Sequence, residues 1–399
     1  MLSSVLNLLG GLISARLLGP TLFGLFNSIN LLQGYIGMTQ LGVVNGLNRE
    51  LPFYFGRNKI QRAQLMAAVA NLWSRCLGVL SFVGLLIPGI YFLFTNESLK
   101  GITFIVIGIN LYAYFNAELY LKVTFRTGSD FKKLSLITFY KSIISFVSLI
   151  LVYAFGYLGF LGRAMIVAYS EFTMLFRFRP LKIRPAWSKP HFIQLFKVGF
   201  PIFVVGYLDS LWFTLNSTFI VEFLGGESLG LYTISNLAFA TLSLIPSSLN
   251  QVLYPKLARE FGEGVVLSKL LKSALKAGFT VFAILVPFTL LAWYFLPFFV
   301  DLLLPKFNGG VEAGRYTLML PLVMSLSSID NIFIVCKKQK VYLISLIIGI
   351  IVYVSVILLF NFYRELTLAM IAFSFITGKV ASLATSFITL NYLSWKEKI

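Results

Sequence analysis

The chain has 399 residues, 58% of them hydrophobic and only 12% charged, against about 25% charged in ordinary soluble domains. Its formal net charge is +18, from 33 Lys and Arg set against 15 Asp and Glu. This composition excludes a soluble globular domain. The length and uniformity of the apolar runs exclude a transmembrane barrel, whose strands are short and alternate in polarity.

In chain order, runs long enough to cross a bilayer as helices fall at 1–18, 22–43, 67–94, 101–120, 135–155 and 158–176, then at 198–221, 229–250, 274–299, 316–335, 341–360 and 366–393. The expected fold is all-α: a polytopic membrane protein of about 12 transmembrane helices in two six-helix lobes, 1–190 and 191–399. Pro201, Pro246, Pro287 and Pro321 mark expected kinks, because each removes a backbone donor. The basic residues concentrate in the connections after even-numbered spans, above all Arg177, Arg179, Lys182, Arg184, Lys189 and Lys197. The connections after odd-numbered spans are neutral or acidic. The positive-inside rule then places both termini on the cytoplasmic side of a cytoplasmic (inner) membrane. The high charge thus reports topology, and nucleic-acid binding is not expected.

A stretch near the start recurs 206 residues later. Over Leu18–Gly56 ten positions are identical without a gap: Leu18, Gly19, Gly24, Leu25, Asn30, Leu31, Leu47, Leu51, Phe55 and Gly56 recur as Leu224, Gly225, Gly230, Leu231, Asn236, Leu237, Leu253, Leu257, Phe261 and Gly262. An even number of spans separates the copies, so the two lobes share one orientation, as in transporters built from parallel repeats. The second half's first span opens near Val198, nine residues ahead of Tyr207, the residue that Met1 matches. The expectation is a start set downstream or a trimmed N-terminus, not a signal peptide.

Two motifs carry a resemblance. Ala15-Arg16-Leu17-Leu18-Gly19-Pro20-Thr21-Leu22-Phe23-Gly24 and Asn45-Gly46-Leu47-Asn48-Arg49-Glu50-Leu51-Pro52 resemble the polysaccharide and O-antigen flippases of the MOP superfamily. So do Lys197-Val198-Gly199-Phe200-Pro201 and Leu253-Tyr254-Pro255-Lys256-Leu257 in the middle of the chain. The resemblance implies two six-helix lobes about a central cavity. It also implies export of a polyprenyl-diphosphate-linked oligosaccharide, such as an O-antigen or other lipopolysaccharide repeat unit, with a polysaccharide polymerase and glycosyltransferases as partners. The loop after the second span lacks the Gly/Asp/Arg motif of the major facilitators. An ion-coupled multidrug or small-molecule exporter of the same fold remains the alternative.

Polar and charged residues within spans give the expected site. Ser3, Asn7, Gly10 and Ser14 share one helix face, as do Asn27, Asn30, Gly34 and Gly37, and Asp209 and Asn216 share another. Asn7, Asn30 and Asn216 are expected to bind sugar; helix–helix packing is the alternative. A Lys or Arg near the bilayer centre costs on the order of 3 kcal/mol, so Arg75 and Lys379 are expected to bind the diphosphate, with Arg16 and Arg49 at the margins. Asp209, Asp330 and Glu118 are the expected coupling-ion or cavity carboxylates, and an internal ion pair of Arg75 or Lys379 with Asp330 or Glu118 is the competing account. Lys141 and Arg163 lie near span ends, where snorkelling accounts for them. The single His191 and the two cysteines, Cys76 and Cys336, give no basis for a metal centre or disulfide. Without a nucleotide-binding loop or cofactor motif, neither an enzyme nor a cofactor is expected.

Overall fold

The computed structural model describes residues 2–128, 130–336 and 338–396. Among them it is helical throughout, without strands. The chain divides into two compact units, Met1–Thr214 and Leu215–Ile399. Among the described residues, nine helical stretches are long and apolar enough to cross a membrane, the interrupted run Pro305–Val335 being one of them.

The first unit opens with α1 (Leu2–Ile36), which is broken at Gly19. The helical turn Gly37–Gln40 and α2 (Val43–Gly56) follow. Next come α3 (Ile60–Phe94) and α4 (Ser98–Ala113). A π-helical segment, Tyr114–Leu121, carries α4 into α5 (Lys122–Thr127). The unit continues through α6 (Phe131–Val147), α7 (Leu149–Arg177) and the start of α8 (Lys189–Leu231). The second unit takes the rest of α8, then α9 (Thr233–Gly262) and α10 (Leu267–Leu303). Three short helices follow: α11 (Val311–Thr317), α12 (Leu320–Leu326) and α13 (Asp330–Val335). Two long ones, α14 (Gln339–Tyr363) and α15 (Leu368–Lys396), complete it.

The sequence repeat is reproduced in the backbone. Gly19 has φ 75° and ψ 173°, and its mate Gly225 has φ 83° and ψ 169°. This region of conformational space is accessible essentially to glycine alone. Both residues break a helix at the same place in each half, so spans 1–18 and 22–43 lie in one interrupted helix, and 198–221 runs past 225 in the same way. The mates Leu47 and Leu253 are 0% and 3% exposed, and Leu51 and Leu257 are both 0% exposed. The leucines from 47 and 51 join Met66, Phe125, Leu175 and Leu195 in one apolar cluster; their mates join Leu270, Ile332, Phe333 and Leu390 in another. Helices α2 and α9 both end on the matched glycines, Gly56 and Gly262.

Two expectations need correction. The span at 316–335 is not one helix: it is divided among α11, α12, the turn Ser327–Ile329 and α13, with Pro321 in the first turn of α12. There proline fits as an initiator, since the first-turn N–H has no helical partner. Pro201, Pro246 and Pro287 do not interrupt their helices; the sharp breaks fall at Gly19, Gly156 and Gly225. Proline at φ near −65° stays compatible with a helix that loses one hydrogen bond, whereas these glycines leave helical conformation altogether. The connection between 135–155 and 158–176 is placed by Gly156, with φ 55° and ψ −127°.

Gly225→Ala is expected to destabilise the folded protein by about 1–3 kcal/mol through backbone strain. No atom lies within 4 Å of an added Cβ there, so no steric term contributes. Gly206→Ala, with open space and helical backbone, is the control and should be neutral or stabilising. Thermal unfolding in detergent, followed by loss of monodisperse protein, measures both.

Candidate functional site

The first unit contains a polar cleft of about 280 Å³. Five stretches of helix line it. From the second half of α1 come Asn30 and Gln33, and from α4 and the π-helical segment come Asn110, Tyr114 and Glu118. Helix α6 gives Lys141 and Ser145, and α7 gives Arg163, Ala164, Val167, Ala168 and Glu171. The small side chains of α7 leave the space. The wider π-helical turn, a feature frequent at functional sites, carries Glu118 at the cleft's charged end.

At that end four charges close on one another. Lys122 Nζ lies 2.5 Å from Glu118 Oε2 and 2.9 Å from Glu171 Oε1. Lys141 Nζ lies 2.5 Å from Glu171 Oε2 and 3.3 Å from Glu118 Oε1. Each carboxylate meets both ammonium groups, so the quartet is neutral. Glu171's side chain is 3% exposed, and burial of a charge is tolerated only with such pairing.

Arg163 is different. Its Nε donates to the Ser145 carbonyl at 2.9 Å, Nη2 to Ser145 Oγ at 2.8 Å and Nη1 to Ser14 Oγ at 3.3 Å. All three acceptors are neutral, and among the described residues no carboxylate forms an ion pair with it. A guanidinium has five N–H donors, so two remain for the cleft it lines. The charges that line the cleft, Glu118, Lys141, Arg163 and Glu171, balance; Lys122, bound to both carboxylates from outside the lining, brings the whole cluster to +1. Lys141 and Arg163 are both held by named partners within the unit. Their signal in the sequence was real but was masked by their nearness to span ends.

The expected site residues do not all gather here. Asn30 and Glu118 line the cleft, Glu118 as a member of the neutral quartet. Arg75 donates from Nε to Asn71 Oδ1 at 3.0 Å and lines a smaller pocket of the same unit with Arg179, Asn116 and Tyr120. Asn7 is exposed on α1, whereas Ser14 of its stripe is buried, donates to the Gly10 carbonyl and accepts from Arg163. Arg16, three residues before the Gly19 break, and Arg49, on α2, are exposed. Beside Arg49, the buried Glu50 accepts from Gln194 Nε2 at 2.9 Å. Asp209 is exposed on α8. In the second unit, Asn216 is 3% exposed and its Oδ1 accepts from Tyr353 OH at 3.1 Å. Asp330 opens α13 and Lys379 is half-buried on α15. Sequence reasoning passed over Gln33, Asn110 and Ser145 in the cleft and Lys122 beside it, and it weighed Glu171 only as an acid to neutralise Arg75 or Lys379. The four-residue spacing of Asn110, Tyr114, Glu118 and Lys122 was the available clue.

The chain is similar in fold to solved transporters. A multidrug resistance MATE family transporter of the MOP superfamily, in an inward-facing conformation, matches with TM-score 0.70 at 15% identity, covering 99% of this chain and 95% of that one. The lipid II flippase MurJ, in an inward closed conformation, matches with TM-score 0.73 at 14% identity, covering 98% and 86%. A MOP superfamily transporter from Pyrococcus furiosus Vc1 matches with TM-score 0.63 at 18% identity, covering 100% and 96%. No curated protein matches the sequence significantly. The family model for polysaccharide biosynthesis proteins matches residues 13–307. The repeat, the multi-pass helical fold and that match over most of its length lead to one conclusion: this chain is a membrane protein of the polysaccharide biosynthesis protein family, with the fold of the MOP superfamily.

Proposed function

We propose that the chain moves a polyprenyl-diphosphate-linked oligosaccharide, a surface-polysaccharide repeat unit such as an O-antigen, across the cytoplasmic membrane, with both termini cytoplasmic. One observation carries the reading beyond family membership: a half-buried guanidinium, Arg163, lines an open cleft with donors to spare and, among the described residues, no ion-pair partner. With Lys122 counted, the charge cluster is +1, which favours an anionic head over a cation. Arginine suits phosphate because its fork makes two parallel charge-assisted bonds. Asn30, Gln33 and Asn110 offer amides for sugar hydroxyls. The polyprenyl tail can stay in lipid, so only the head needs a polar path.

Arg16, Arg49, Arg75 and Lys379 stay in the proposal as further cations for the diphosphate, Asn7 and Asn216 as sugar ligands, and Asp209 and Asp330 as coupling-ion carboxylates. The lobes are proposed as 1–190 and 191–399, following the repeat. Glycosyltransferases would supply the substrate and a polymerase would consume it. The second reading, a multidrug or small-molecule exporter, draws on the shared fold of the MATE transporter.

Purified protein in proteoliposomes tests both. A sugar-labelled fluorescent polyprenyl diphosphate should become accessible to an external quencher faster than in empty vesicles, while efflux of a cationic dye stays at background. Dye efflux without lipid movement would replace the first reading with the second. Asp209→Asn in the same assay should slow movement at least tenfold; wild-type rates would remove it from the coupling role.

A further inference from the structure

We infer that the first unit holds a separate phosphate-group site, formed by Arg75, Arg179 and Tyr120 under the segment that follows α7. This inference does not depend on the transport reading. Three observations meet in one pocket of about 30 Å³, lined by α3, the π-helical segment, the end of α7 and residues 179–183. Two guanidinium groups face it, and its lining contains no acid. Among the described residues neither arginine forms an ion pair. Like charges brought to one pocket repel unless an anion lies between them.

Each arginine is also held in place through neutral groups. Arg75 Nε is fixed by Asn71 Oδ1 at 3.0 Å, which leaves its four terminal N–H groups available. Arg179 lies over the Phe176 ring, 3.7 Å from its centroid, and donates to the Phe176 carbonyl. The third observation is Tyr120. It is 3% exposed, lines the pocket, and its buried hydroxyl has no hydrogen-bond partner. A buried hydroxyl without an acceptor is uncommon and calls for a missing partner. A phosphate oxygen would satisfy it and both arginines at once.

Size narrows the ligand. At roughly 10–15 Å³ per water-sized group, the pocket admits the terminal oxygens of one phosphate, not a sugar. The roof is part of the site. Asn71 Nδ2 donates to the Ile183 carbonyl at 3.0 Å, and Ala186 N donates to the Ala68 carbonyl at 3.3 Å. A phosphate here would tie α3, α7 and residues 179–186 together on the face that carries the basic connections. The phosphate could belong to a lipid headgroup or be free in solution.

Thermal unfolding of the purified protein in neutral detergent separates the cases. Sodium phosphate and a short-chain phosphatidic acid are titrated separately, against sodium chloride at matched ionic strength. We expect a saturable rise in Tm of several degrees with one or both, and none with chloride. Phosphatidic acid alone giving the rise identifies a headgroup; inorganic phosphate giving it identifies a free anion. The rise should vanish in the Arg75→Gln/Arg179→Gln variant. In Tyr120→Phe, which keeps the packing, the apparent Kd should weaken about five- to tenfold for one lost hydrogen bond. Arg163→Gln should keep the full response. The inference is overturned if neither phosphate source shifts wild-type Tm, if chloride shifts it equally, or if Tyr120→Phe binds as tightly as wild type. A response lost in Arg163→Gln but kept in the double variant would assign the anion to the cleft, and would overturn it too. Failure here leaves the transport reading standing, because that reading rests on Arg163 in the cleft and is read by lipid movement.

Discussion

Arg163→Ala is expected to slow movement of the diphosphate-linked lipid about 100-fold while the protein still folds and inserts. The guanidinium has two N–H groups free after Ser145 and Ser14 take three. Hydrogen bonds to charged groups contribute about 1.5–3 kcal/mol each. Loss of two such bonds to phosphate, partly replaced by water, leaves a deficit near 3 kcal/mol, and every 1.4 kcal/mol is about tenfold. The variant also takes the charge cluster from +1 to neutral, because the Glu118, Glu171, Lys122 and Lys141 quartet already balances. Arg163→Lys keeps the charge and loses the fork, so it should recover only part of the rate. The initial rate of quencher accessibility, normalised to inserted protein, is the measurement. An alanine variant that works at the wild-type rate would make Arg163 a packing residue and move the diphosphate site elsewhere.

Glu171→Ala should be the most destabilising single change in the first unit, by about 3–5 kcal/mol. The carboxylate is nearly sealed, and it is bound by Lys122 at 2.9 Å and Lys141 at 2.5 Å. Its removal leaves two ammonium groups to share Glu118, and one positive charge is then buried without compensation. The sign of the remedy follows. Removing Lys122 as well, in Glu171→Leu/Lys122→Met, restores neutrality with side chains of similar bulk and should regain most of the loss, since an apolar replacement of a whole ion pair is often neutral. Detergent-solubilised protein heated and then assayed for monodispersity reports the ranking. A single variant that melts within a degree of wild type would show that the quartet is hydrated and contributes little.

Much of this architecture was legible because backbone rules act locally. The apolar runs placed the helices, and the recurrence of Gly19 as Gly225 showed that the halves match there, though not that the chain breaks its helix at both. Leu47 and Leu51 were visible as the repeat mates of Leu253 and Leu257, and their place in the two apolar clusters came with the structure. The prolines were misread as interruptions because a missing donor weakens a helix without ending it. The cleft was harder. Lys141 pairs with Glu118 and Glu171, 23 and 30 residues away, and no helix period encodes which faces of separate helices meet. Arg163 looked like an interfacial anchor because distance along the chain from a span end says nothing of the Ser145 and Ser14 acceptors waiting there. The π-helical turn at Tyr114–Leu121 has no compositional mark at all.

The twin bends at Gly19 and Gly225 also constrain how the two halves could drift apart after duplication. Every residue other than glycine is strained at φ 75° or 83° with ψ near 170°, so no single-codon step from either glycine is silent in structure. The neighbouring position is under no such rule, and it has already diverged, to Pro20 in one copy and Gly226 in the other. A saturation scan should therefore find two isolated intolerant columns separated by 206 positions, each beside a permissive one. The two glycines act as fixed punctuation: the surrounding helices can be rewritten, and the place where each turns cannot.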